Sequence, residues 1–366
     1  MRQPVEVSAP GKLILMGEHA AVYGRPALVA AIDLRLTARL SPLPPENAGE
    51  VRLDLPGLGH LETTSWTDLR AYAGAARERW ARYSESPAPA AFQEVRGKDP
   101  AHVVKIALGE AADSLGPDWR EGACLRIESG LPIGSGFGSS AAAATAIVAA
   151  LLAFAAPEER IDEERIARLA LEVERRQHGL PSGVDGATVL QGGVLWARRL
   201  PSGEVESERV AVRSSLLHLL RVYDTGTPAE PTGAVVAAVR ALRERDPGRH
   251  ERTLDRMEAA TRALRGALEH DGGDPDQPLH LIREHEACLE DLGVVPGEVR
   301  DLVRRVEAEG GAAKISGAGS LSGPGAGSLL VYHPDPERVA RWAFLRPFPF
   351  HPVHLGAPGF RREDFG

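Results

Sequence analysis

Short apolar runs separated by turn residues fill the first third of the chain, and this pattern predicts β-strands. The predicted strands are Val5 to Ser8, Lys12 to Met16, Ile32 to Leu40, Val51 to Leu55 and Ala123 to Glu128. From Ser139 onward the apolar period becomes helical. The chain therefore changes from sheet to helix at this position.

Two helices are predicted after this change. The first covers Ala141 to Ala156, a stretch of 16 residues that are nearly all apolar. A membrane span needs about 20 apolar residues, so this segment predicts a buried helix instead. The second covers Asp162 to His178, with Asp162 as its N-cap and Gly179 as a stop signal. Its apolar stripe consists of Ile166, Leu169, Ala170 and Val173.

The second half of the chain follows a polar segment that predicts a domain boundary. An apolar run, Thr188 to Arg199, is interpreted as a strand, and the polar stretch Leu200 to Glu208 comes after it. We place the division here, giving domains 1–205 and 206–366. The later part predicts a strand at His218 to Tyr223, helices at Gly233 to Arg245, Glu251 to His270, Pro278 to Leu292 and Glu298 to Glu309, and a glycine-rich strand and turn region at Ala312 to Tyr332.

Composition and charge narrow the class of protein. With 366 residues, of which 43% are hydrophobic and 26% charged, the chain is long enough for a two-domain globular protein. A formal net charge of -8 argues against a nucleic-acid-coating protein, because phosphate-backbone binding needs clustered Lys and Arg. Two cysteines imply no disulfide framework. Met1 to Glu18 lacks the pattern of a secretory signal, so we expect a cytoplasmic protein with no membrane partner.

A glycine-rich segment before the first helix is the strongest candidate for chemistry. It consists of Pro132, Ile133, Gly134, Ser135, Gly136, Phe137, Gly138, Ser139 and Ser140. Glycines allow backbone N–H groups to approach phosphate oxygens, and a helix N-terminus favours a bound anion. No lysine follows Gly138, which excludes the P-loop pattern, and Ser139 stands where a dinucleotide motif needs glycine. The alternative is a tight turn before a capped helix.

Asp185 is a candidate catalytic acid or base. It follows the second helix in a loop that Pro181 restricts and that Gly183 and Gly186 make permissive. Such a loop can hold a carboxylate at a site, but Asp beside Gly is equally typical of a simple turn. The residues alone leave both interpretations open.

Two further charged residues, Glu174 and Lys12, lie next to apolar positions, where a charge is unusual. Glu174 borders the apolar stripe of the second helix, and a buried carboxylate generally has a metal or an Arg as partner. Both partners remain open, because four arginines lie nearby in the sequence. Lys12 begins an apolar strand after Pro10-Gly11. Its ammonium is either ordinary strand-edge chemistry or a charge that assists phosphoryl transfer.

In their order along the chain, these segments resemble the GHMP family of small-molecule kinases, and within it the mevalonate kinases most closely. The stretch from Pro10-Gly11-Lys12 through Gly17-Glu18-His19 to Leu28 is similar to the first family motif, and Pro132 to Ser140 is similar to the second. His178 to Ala187 resembles the segment that carries the catalytic aspartate. The resemblance implies an α+β fold with an N-terminal ribosomal-protein-like domain, a C-terminal ferredoxin-like domain and the active site between them.

The resemblance also implies roles for individual residues. Asp185 would be the base, or would orient the substrate hydroxyl, and Lys12 would support it. Glu174 and Ser140 would bind Mg²⁺, while the glycine-rich segment would hold the β- and γ-phosphates of ATP. Glu18, His19 and Ser182 would line the pocket of the acceptor, which would be mevalonate, phosphorylated on its 5-hydroxyl. A homodimer is a further family expectation.

One motif departs from the family pattern. The third motif usually contains consecutive glycines, whereas here Leu321 and Pro324 interrupt a longer segment that runs from Lys314 to Gly327. By the resemblance, this segment would form the wall of the active-site pocket nearest the phosphates of ATP. It keeps two alternatives open: another kinase of the family, acting on phosphomevalonate or a sugar, and a non-catalytic metabolite sensor with the same fold. The joint presence of Lys12, Glu174 and Asp185 favours a kinase over a sensor.

Overall fold

The structure is a computed structural model that describes residues 2–86, 92, 94–95, 97–132, 134–159, 162–271, 274 and 276–363. Its strands are β1 (Val5–Met16), β2 (Ala27–Pro42), β3 (Glu50–Leu55), β4 (His60–Ser65), β5 (Ala123–Ser129), β6 (Val194–Arg199), β7 (Val205–Arg209), β8 (Leu220–Asp224), β9 (Ala312–Ser316), β10 (Ser328–Tyr332), β11 (Phe350–His351) and β12 (Arg361–Glu363). Its helices are α1 (Trp66–Glu85), α2 (His102–Ser114), α3 (Ser139–Ala155), α4 (Glu163–His178), α5 (Val184–Gln191), α6 (Leu216–Leu219), α7 (Thr232–Arg245), α8 (Pro247–Glu269), α9 (Gln277–Asp291), α10 (Gly297–Ala308) and α11 (Pro336–Arg341).

The strands form two sheets. The larger has eight strands among the described residues, in the order β12-β1-β2-β5-β3-β4, with β6 paired to the first part of β2 and β7 paired to β6. Within it β3 and β5 are parallel, and the remaining pairs are antiparallel. The smaller sheet has the order β11-β8-β10-β9 and is antiparallel throughout. Mixed sheets with segregated helices are typical of the α+β class.

Two of the predicted strands are one continuous strand. β1 joins Val5 to Ser8 with Lys12 to Met16, and Pro10 and Gly11 lie inside it at a shift of register against β2. A bulge tolerates proline, which has no N–H to donate to the ladder. Gly11 is required there because a Cβ atom would lie 2.8 Å from the Phe137 carbonyl oxygen. This close approach brings β1 against the glycine-rich segment.

The helix predicted at Ala141 to Ala156 is confirmed as the centre of the larger core. Helix α3 covers Ser139–Ala155, and its side chains from Ala141 to Leu151 are all buried between the larger sheet and the helices α2, α4 and α5. Its small alanines let these elements approach closely, so the helix packs on all sides. None of the helices in the described ranges is long and apolar enough to cross a membrane. A second apolar core lies between the smaller sheet and helices α7 to α10.

Helix α5 corrects the strand predicted at Thr188 to Arg199. The segment is helical from Val184 to Gln191, and strand β6 begins only at Val194. Glycines fix both ends, because Gly183, Gly192 and Gly193 have positive φ angles of 81°, 71° and 76°. The apolar run looked like a strand because a short run does not distinguish helix from strand. Asp185 therefore lies in the first turn of a helix rather than in a loop.

Several helices and strands were not predicted from the pattern. Among them, helices α1 and α2 follow β4 in the part of the chain interpreted as β-rich, and α1 has a weak signal because two of its five buried residues are alanine. The polar stretch Leu200 to Glu208 forms a turn and most of β7. Strand β7 spans the predicted division and β12 lies beyond it, yet both extend the larger sheet. The division into 1–205 and 206–366 stays a prediction.

The predicted N-cap of α4 is confirmed, and it provides a stability test. Asp162 accepts a hydrogen bond of 2.9 Å from the Arg165 backbone N–H. We expect Asp162→Ala to lower the free energy of unfolding by about 1 kcal/mol, because the N–H loses its partner. Asp162→Asn keeps the cap and serves as the control. Urea denaturation measures both, and equal stability of the two variants would contradict the role of the cap.

Candidate active site

The glycine-rich segment forms a loop between β5 and α3 whose backbone only glycine accommodates. Gly134, Gly136 and Gly138 have φ angles of 81°, 81° and 75°. A Cβ atom on Gly138 would lie 2.6 Å from Lys12 Cγ, and one on Gly136 would lie 2.6 Å from the Ser316 carbonyl oxygen. The glycines thus admit both Lys12 and the smaller sheet to the loop. Pro132 is half-buried in the loop, and Ile133 lies outside the described residues.

The two serines of the segment begin helix α3. Ser139 and Ser140 are its first residues, and the N-cap Gly138 has no side chain to occupy the free amides. Such a helix start attracts an anion through its amides and its dipole. Ser140 Oγ lies 2.8 Å from His178 Nε2 at the end of α4. The helix that carries Glu174 is therefore tied to the N-terminal end of α3.

Ser135 is held differently from the other members of the segment. Its side chain is buried, and its hydroxyl donates a hydrogen bond of 2.7 Å to Asp224 Oδ2 at the end of β8. Its carbonyl oxygen accepts from the Ser328 backbone N–H at 2.9 Å. The structure therefore places Ser135 as the link between the glycine-rich loop and the smaller sheet. Its predicted contact with ATP stays a prediction.

Lys12 and Asp185 form an ion pair at the site. The Nζ atom lies 3.0 Å from Asp185 Oδ2; the lysine side chain is 4% exposed and the aspartate 35%. Lys12 also donates its backbone N–H to the Phe137 carbonyl oxygen at 2.9 Å. Because the lysine is buried and the carboxylate open to solvent, the aspartate is the member of the pair that an incoming hydroxyl can reach.

Glu174 lies beside this pair, almost fully buried on α4. Burial raises the pKa of Glu174 to about 8, and the negative charge of Asp185 adds to the rise while Lys12 opposes it. A Cβ atom on Gly186 would lie 3.5 Å from Glu174 Oε1, so the glycine leaves room for the carboxylate.

The arginines near Glu174 in the sequence have other partners. Arg175 and Arg176 both pair with Glu172, and Arg176 also pairs with Glu110 at 3.3 Å. Within the part of the chain that the structure describes, no Lys, Arg or His lies within ion-pair distance of Glu174. The interpretation of Glu174 as half of a helix-edge salt bridge is therefore not supported.

The oxygen donors around Glu174 suit a divalent cation. Two neighbouring carboxyl groups, of Glu174 and Asp185, lie near one ammonium, that of Lys12. When both carboxyl groups are ionised, one negative charge is left without a positive partner in this group, and a cation can balance it. Mg²⁺ prefers oxygen ligands, keeps several waters and usually binds one or two carboxylates together with substrate phosphates. Ser140, at the N-terminal end of α3, carries a neutral hydroxyl oxygen, and its contact with His178 connects it to the helix that carries Glu174. The residues present fit the metal.

Glu18 occupies a buried polar cluster next to the site. Its carboxylate pairs with the Lys314 ammonium, and both side chains are fully buried. Burial raises the pKa of Glu18, and Lys314 opposes the rise. Lys314 also donates to the Ile315 carbonyl oxygen at 2.6 Å, and His285 Nε2 accepts the Gly17 N–H at 2.9 Å. In this arrangement Glu18 joins β1 to β9, and its predicted contact with the acceptor stays a prediction.

His19 and Ser182 complete the predicted set. His19 has a φ angle of 59°, rare for a residue with a side chain, and its Nε2 lies 2.9 Å from the Ala318 carbonyl oxygen. Burial lowers its pKa to about 4, so the ring is neutral at physiological pH. Ser182 is half-buried just before α5, and its hydroxyl accepts a long hydrogen bond of 3.4 Å from the Val184 N–H.

A basic cavity that the sequence did not reveal lies next to the short helical turn Ala20–Tyr23, directly after His19. Its volume is about 550 Å³, and its lining consists of Val22, Tyr23, Arg199, Arg240, Arg243, Glu244 and Pro247. Three guanidinium groups thus face one carboxylate. Burial and the charges of Arg175 and Arg240 lower the pKa of Arg199, a sign that the cations are crowded. The Tyr23 hydroxyl is buried, and it has no hydrogen-bond partner among the residues that the structure describes.

No local pattern marked this cavity or Lys314. The cavity draws its arginines from β6 and α7, which are about forty residues apart in sequence. Lys314 stood at the start of the third glycine-rich segment, where a lysine is unremarkable until Glu18 is found against it. In both cases the missing signal was the proximity in the fold of charged residues that are distant in sequence.

The interrupted third segment packs on the glycine-rich loop. The Ser316 carbonyl oxygen faces Gly136, and a Cβ atom on Gly327 would lie 3.0 Å from the Ser135 carbonyl. Gly134 similarly approaches the Thr227 methyl group. The loops after β8 and β9 therefore form the wall of the site that faces the α3 N-terminus.

Comparisons with known proteins agree with this geometry. Residues 102–193 match the family model described as GHMP kinases N terminal domain. The mevalonate kinase of Bos taurus is 32% identical over 96% of this chain and 93% of its own length. A crystal structure of mevalonate kinase superposes with a TM-score of 0.71 and 19% identity, covering 96% of this chain and 98% of that one.

The fold alone does not separate the acceptors of these kinases. The galactokinase of Lactococcus lactis, solved with galactose, has a TM-score of 0.70 at 17% identity and covers 98% of this chain and 95% of its own. Sequence identity over nearly the full length is therefore the stronger criterion for assigning the branch of the family. The predicted α+β fold class and the predicted family are confirmed, and the chain belongs to the GHMP kinase family, in its mevalonate kinase branch.

Proposed function

We propose that this protein transfers the γ-phosphate of ATP to the 5-hydroxyl of mevalonate. The observation that carries the proposal is the Lys12–Asp185 pair, 3.0 Å apart, beside the buried Glu174 and the glycine-lined start of α3. Full-length similarity to mevalonate kinases supports the acceptor. A kinase of this family uses ATP, and the open helix start provides the amides for its phosphates.

In the proposed reaction, Asp185 orients the acceptor hydroxyl and takes its proton. A bond forms between the hydroxyl oxygen and the γ-phosphorus, and the bond from that phosphorus to the bridging β–γ oxygen breaks. The transition state is loose and its charge is spread over the phosphoryl oxygens, so placement and electrostatics account for most of the catalysis. The Lys12 ammonium, fixed by the backbone bond to Phe137, holds Asp185 in place and offsets negative charge.

Glu174 and Ser140 are proposed to hold Mg²⁺, which when bound neutralises charge on the β- and γ-phosphates. The burial of Glu174 next to Asp185 supports this assignment, since the raised pKa of about 8 shows that its ionised form lacks a counter-charge, which a bound cation would supply. Glycines 134, 136 and 138 keep side chains away from the phosphates.

The basic cavity is proposed to recognise the carboxylate end of the acceptor. Mevalonate carries a carboxylate, and Arg199, Arg240 and Arg243 supply guanidinium groups for it. The short turn Ala20–Tyr23 places this cavity close to His19, which lies on the predicted acceptor side. A neutral sugar would add no negative charge to a lining in which three guanidinium groups face the single carboxylate of Glu244, so the cavity favours an acidic acceptor. A cytoplasmic location and a homodimer stay predictions.

An acceptor panel tests the proposal. ADP release is measured with mevalonate, phosphomevalonate, galactose and homoserine at equal concentrations. We expect turnover with mevalonate to exceed turnover with each of the others, because mevalonate combines a free primary hydroxyl with a carboxylate and, unlike homoserine, carries no ammonium group that the arginines of the cavity would repel. Absence of mevalonate turnover at any concentration would overturn the proposal, and turnover of phosphomevalonate alone would establish the other acidic acceptor.

Replacement of Asp185 separates catalysis from binding. We expect Asp185→Asn to lower kcat by about 10²- to 10⁴-fold, the usual contribution of a general base. The dissociation constant for ATP should change by no more than about twofold, since Asp185 acts on the acceptor. Equilibrium binding and steady-state kinetics measure the two quantities. Asp301→Asn, an exposed change on α10, is the control for loss of charge. Undiminished turnover of Asp185→Asn would remove Asp185 from its role.

Replacement of Arg240 tests the carboxylate pocket. Loss of a charge-assisted hydrogen bond costs about 1.5–3 kcal/mol, so Arg240→Gln should raise the KM for mevalonate by about tenfold or more. The KM for ATP should stay unchanged. Arg245→Gln, on the same helix but exposed, is the matched control. An equal rise of both KM values in Arg240→Gln would show a general loss of structure instead.

A further inference from the structure

Glu230 lies at the start of α7 and reaches across to the interrupted third glycine segment. Its Oε2 accepts hydrogen bonds from the Leu321 N–H at 2.9 Å and from Ser320 Oγ at 2.7 Å. Its Oε1 accepts from Ser322 Oγ at 2.5 Å. The Ser322 N–H is a fourth, longer donor at 3.4 Å. All four partners are donors, which suits a carboxylate, a group that only accepts when ionised.

The protonation state of Glu230 matches this role. Partial burial tends to raise its pKa, but the hydrogen bonds from Ser322, Ser320 and the two backbone amides outweigh that effect and lower it below the ordinary value. Glu230 is therefore ionised at neutral pH. Hydrogen bonds to an ionised acceptor are stronger than neutral ones.

The hydrogen bonds of Glu230 lie at the point where the third glycine segment passes from buried to exposed residues. Ser320 is fully buried, whereas residues 321–324 are exposed, and Leu321 is 41% exposed. Consecutive glycines would allow a tight turn here, but Leu321 and Pro324 lengthen the loop beyond such a turn. An exposed four-residue excursion has few apolar contacts of its own to hold it. Glu230 holds the segment where the excursion begins.

A second set of bonds closes the other end of the excursion. The Thr225 hydroxyl donates to the Gly327 carbonyl oxygen at 2.7 Å and accepts from the Ala326 N–H at 2.9 Å. The Gly327 N–H donates to the Gly226 carbonyl oxygen at 2.9 Å. The loop after β8, residues 225–230, thus fastens the third glycine segment at both ends.

The fastened segment bears directly on the phosphate-binding loop. Gly327 approaches the Ser135 carbonyl, Ser316 faces Gly136, and Ser135 Oγ donates to Asp224 Oδ2 at 2.7 Å. Asp224 Oδ1 accepts the Gly226 N–H at 2.8 Å, which joins the same loop to the same serine. A displacement of the third segment would therefore also move Ser135 and Gly136.

We propose that Glu230 is a positioning residue for nucleotide binding, which acts by holding residues 320–322 so that the third glycine segment supports the phosphate-binding loop. It does not touch the reacting atoms. In this proposal the carboxylate keeps the segment in place, as a tight turn of consecutive glycines would do. The proposal rests on the proposed kinase function only in taking ATP as the ligand, and the identity of the acceptor does not enter it.

The experiment compares wild type with Glu230→Gln, Glu230→Asp, Ser322→Ala and the Glu230→Gln/Ser322→Ala double variant. Gln has the shape of Glu but carries no charge and keeps only one accepting oxygen, so the bonds on one side lose their acceptor and those on the other become neutral and weaker. Exposed Glu309, at the C-terminal end of α10, provides the control Glu309→Gln with the same change of charge. The readouts are the dissociation constant for MgATP without acceptor, the KM of each substrate, and amide hydrogen exchange in residues 318–327.

For Glu230→Gln we expect the MgATP dissociation constant to rise by about tenfold, as loss of one to two charge-assisted bonds implies. The KM of the acceptor should stay within about twofold, and exchange in residues 318–327 should be faster. Ser322→Ala should weaken MgATP binding less, and the double variant should be no weaker than Glu230→Gln alone, because the two residues share one interaction. Glu230→Asp, which keeps the charge, should recover part of the affinity.

Unchanged MgATP affinity in Glu230→Gln would overturn the inference, as would additive effects of the two substitutions or an equal loss for both substrates. These outcomes do not depend on the acceptor. If wild type binds MgATP but phosphorylates an alcohol other than mevalonate, the proposed function fails while the nucleotide measurements still decide the role of Glu230.

Discussion

The approach of β1 to the glycine-rich loop at Lys12 is the contact on which the site depends. The backbone N–H of Lys12 donates to the Phe137 carbonyl oxygen, its methylene stem lies against Gly138, and its ammonium pairs with Asp185. One residue thus joins the first strand, the loop before α3 and the first turn of α5. Larger residues at positions 11 and 138 would separate these elements, since Cβ atoms there would clash with Phe137 and Lys12.

The two sheets are joined by polar groups rather than by apolar packing alone. Ser316 Oγ donates to the Ile14 carbonyl oxygen at 3.0 Å and accepts the Ile14 N–H at 2.9 Å. Beside it the buried Lys314 pairs with Glu18 and with backbone carbonyls. Buried charges are costly unless paired, so this arrangement has few alternatives. It keeps the third glycine segment in register with β1, and therefore with Lys12.

The two carboxyl groups of the site, Glu174 and Asp185, differ in burial and in charge partners, and this difference limits the role that each can take. Glu174 is buried and its pKa is raised to about 8, whereas Asp185 beside it is partly open and paired with Lys12. Two carboxylates in different surroundings can take different roles, one as a ligand to a cation and one toward a hydroxyl. The basic cavity adds positive charge next to the turn that follows His19. In the proposed reaction the acceptor would therefore meet guanidinium groups at one end and a carboxylate at the other.

The sequence by itself determined the elements whose signal is local. The N-cap at Asp162, the buried helix after Ser139 and the glycine positions of the phosphate loop follow from residue chemistry and period, and the family follows from the order of three motifs. The tertiary structure decided what depends on partners distant in sequence. It placed Glu18 against Lys314, replaced the first part of a predicted strand by helix α5, gathered the arginines of the cavity and set Glu230 against Ser322. The three polar groupings join segments that are distant in sequence, and the apolar run of α5 is compatible with either helix or strand until it is packed, so no local pattern decides these features.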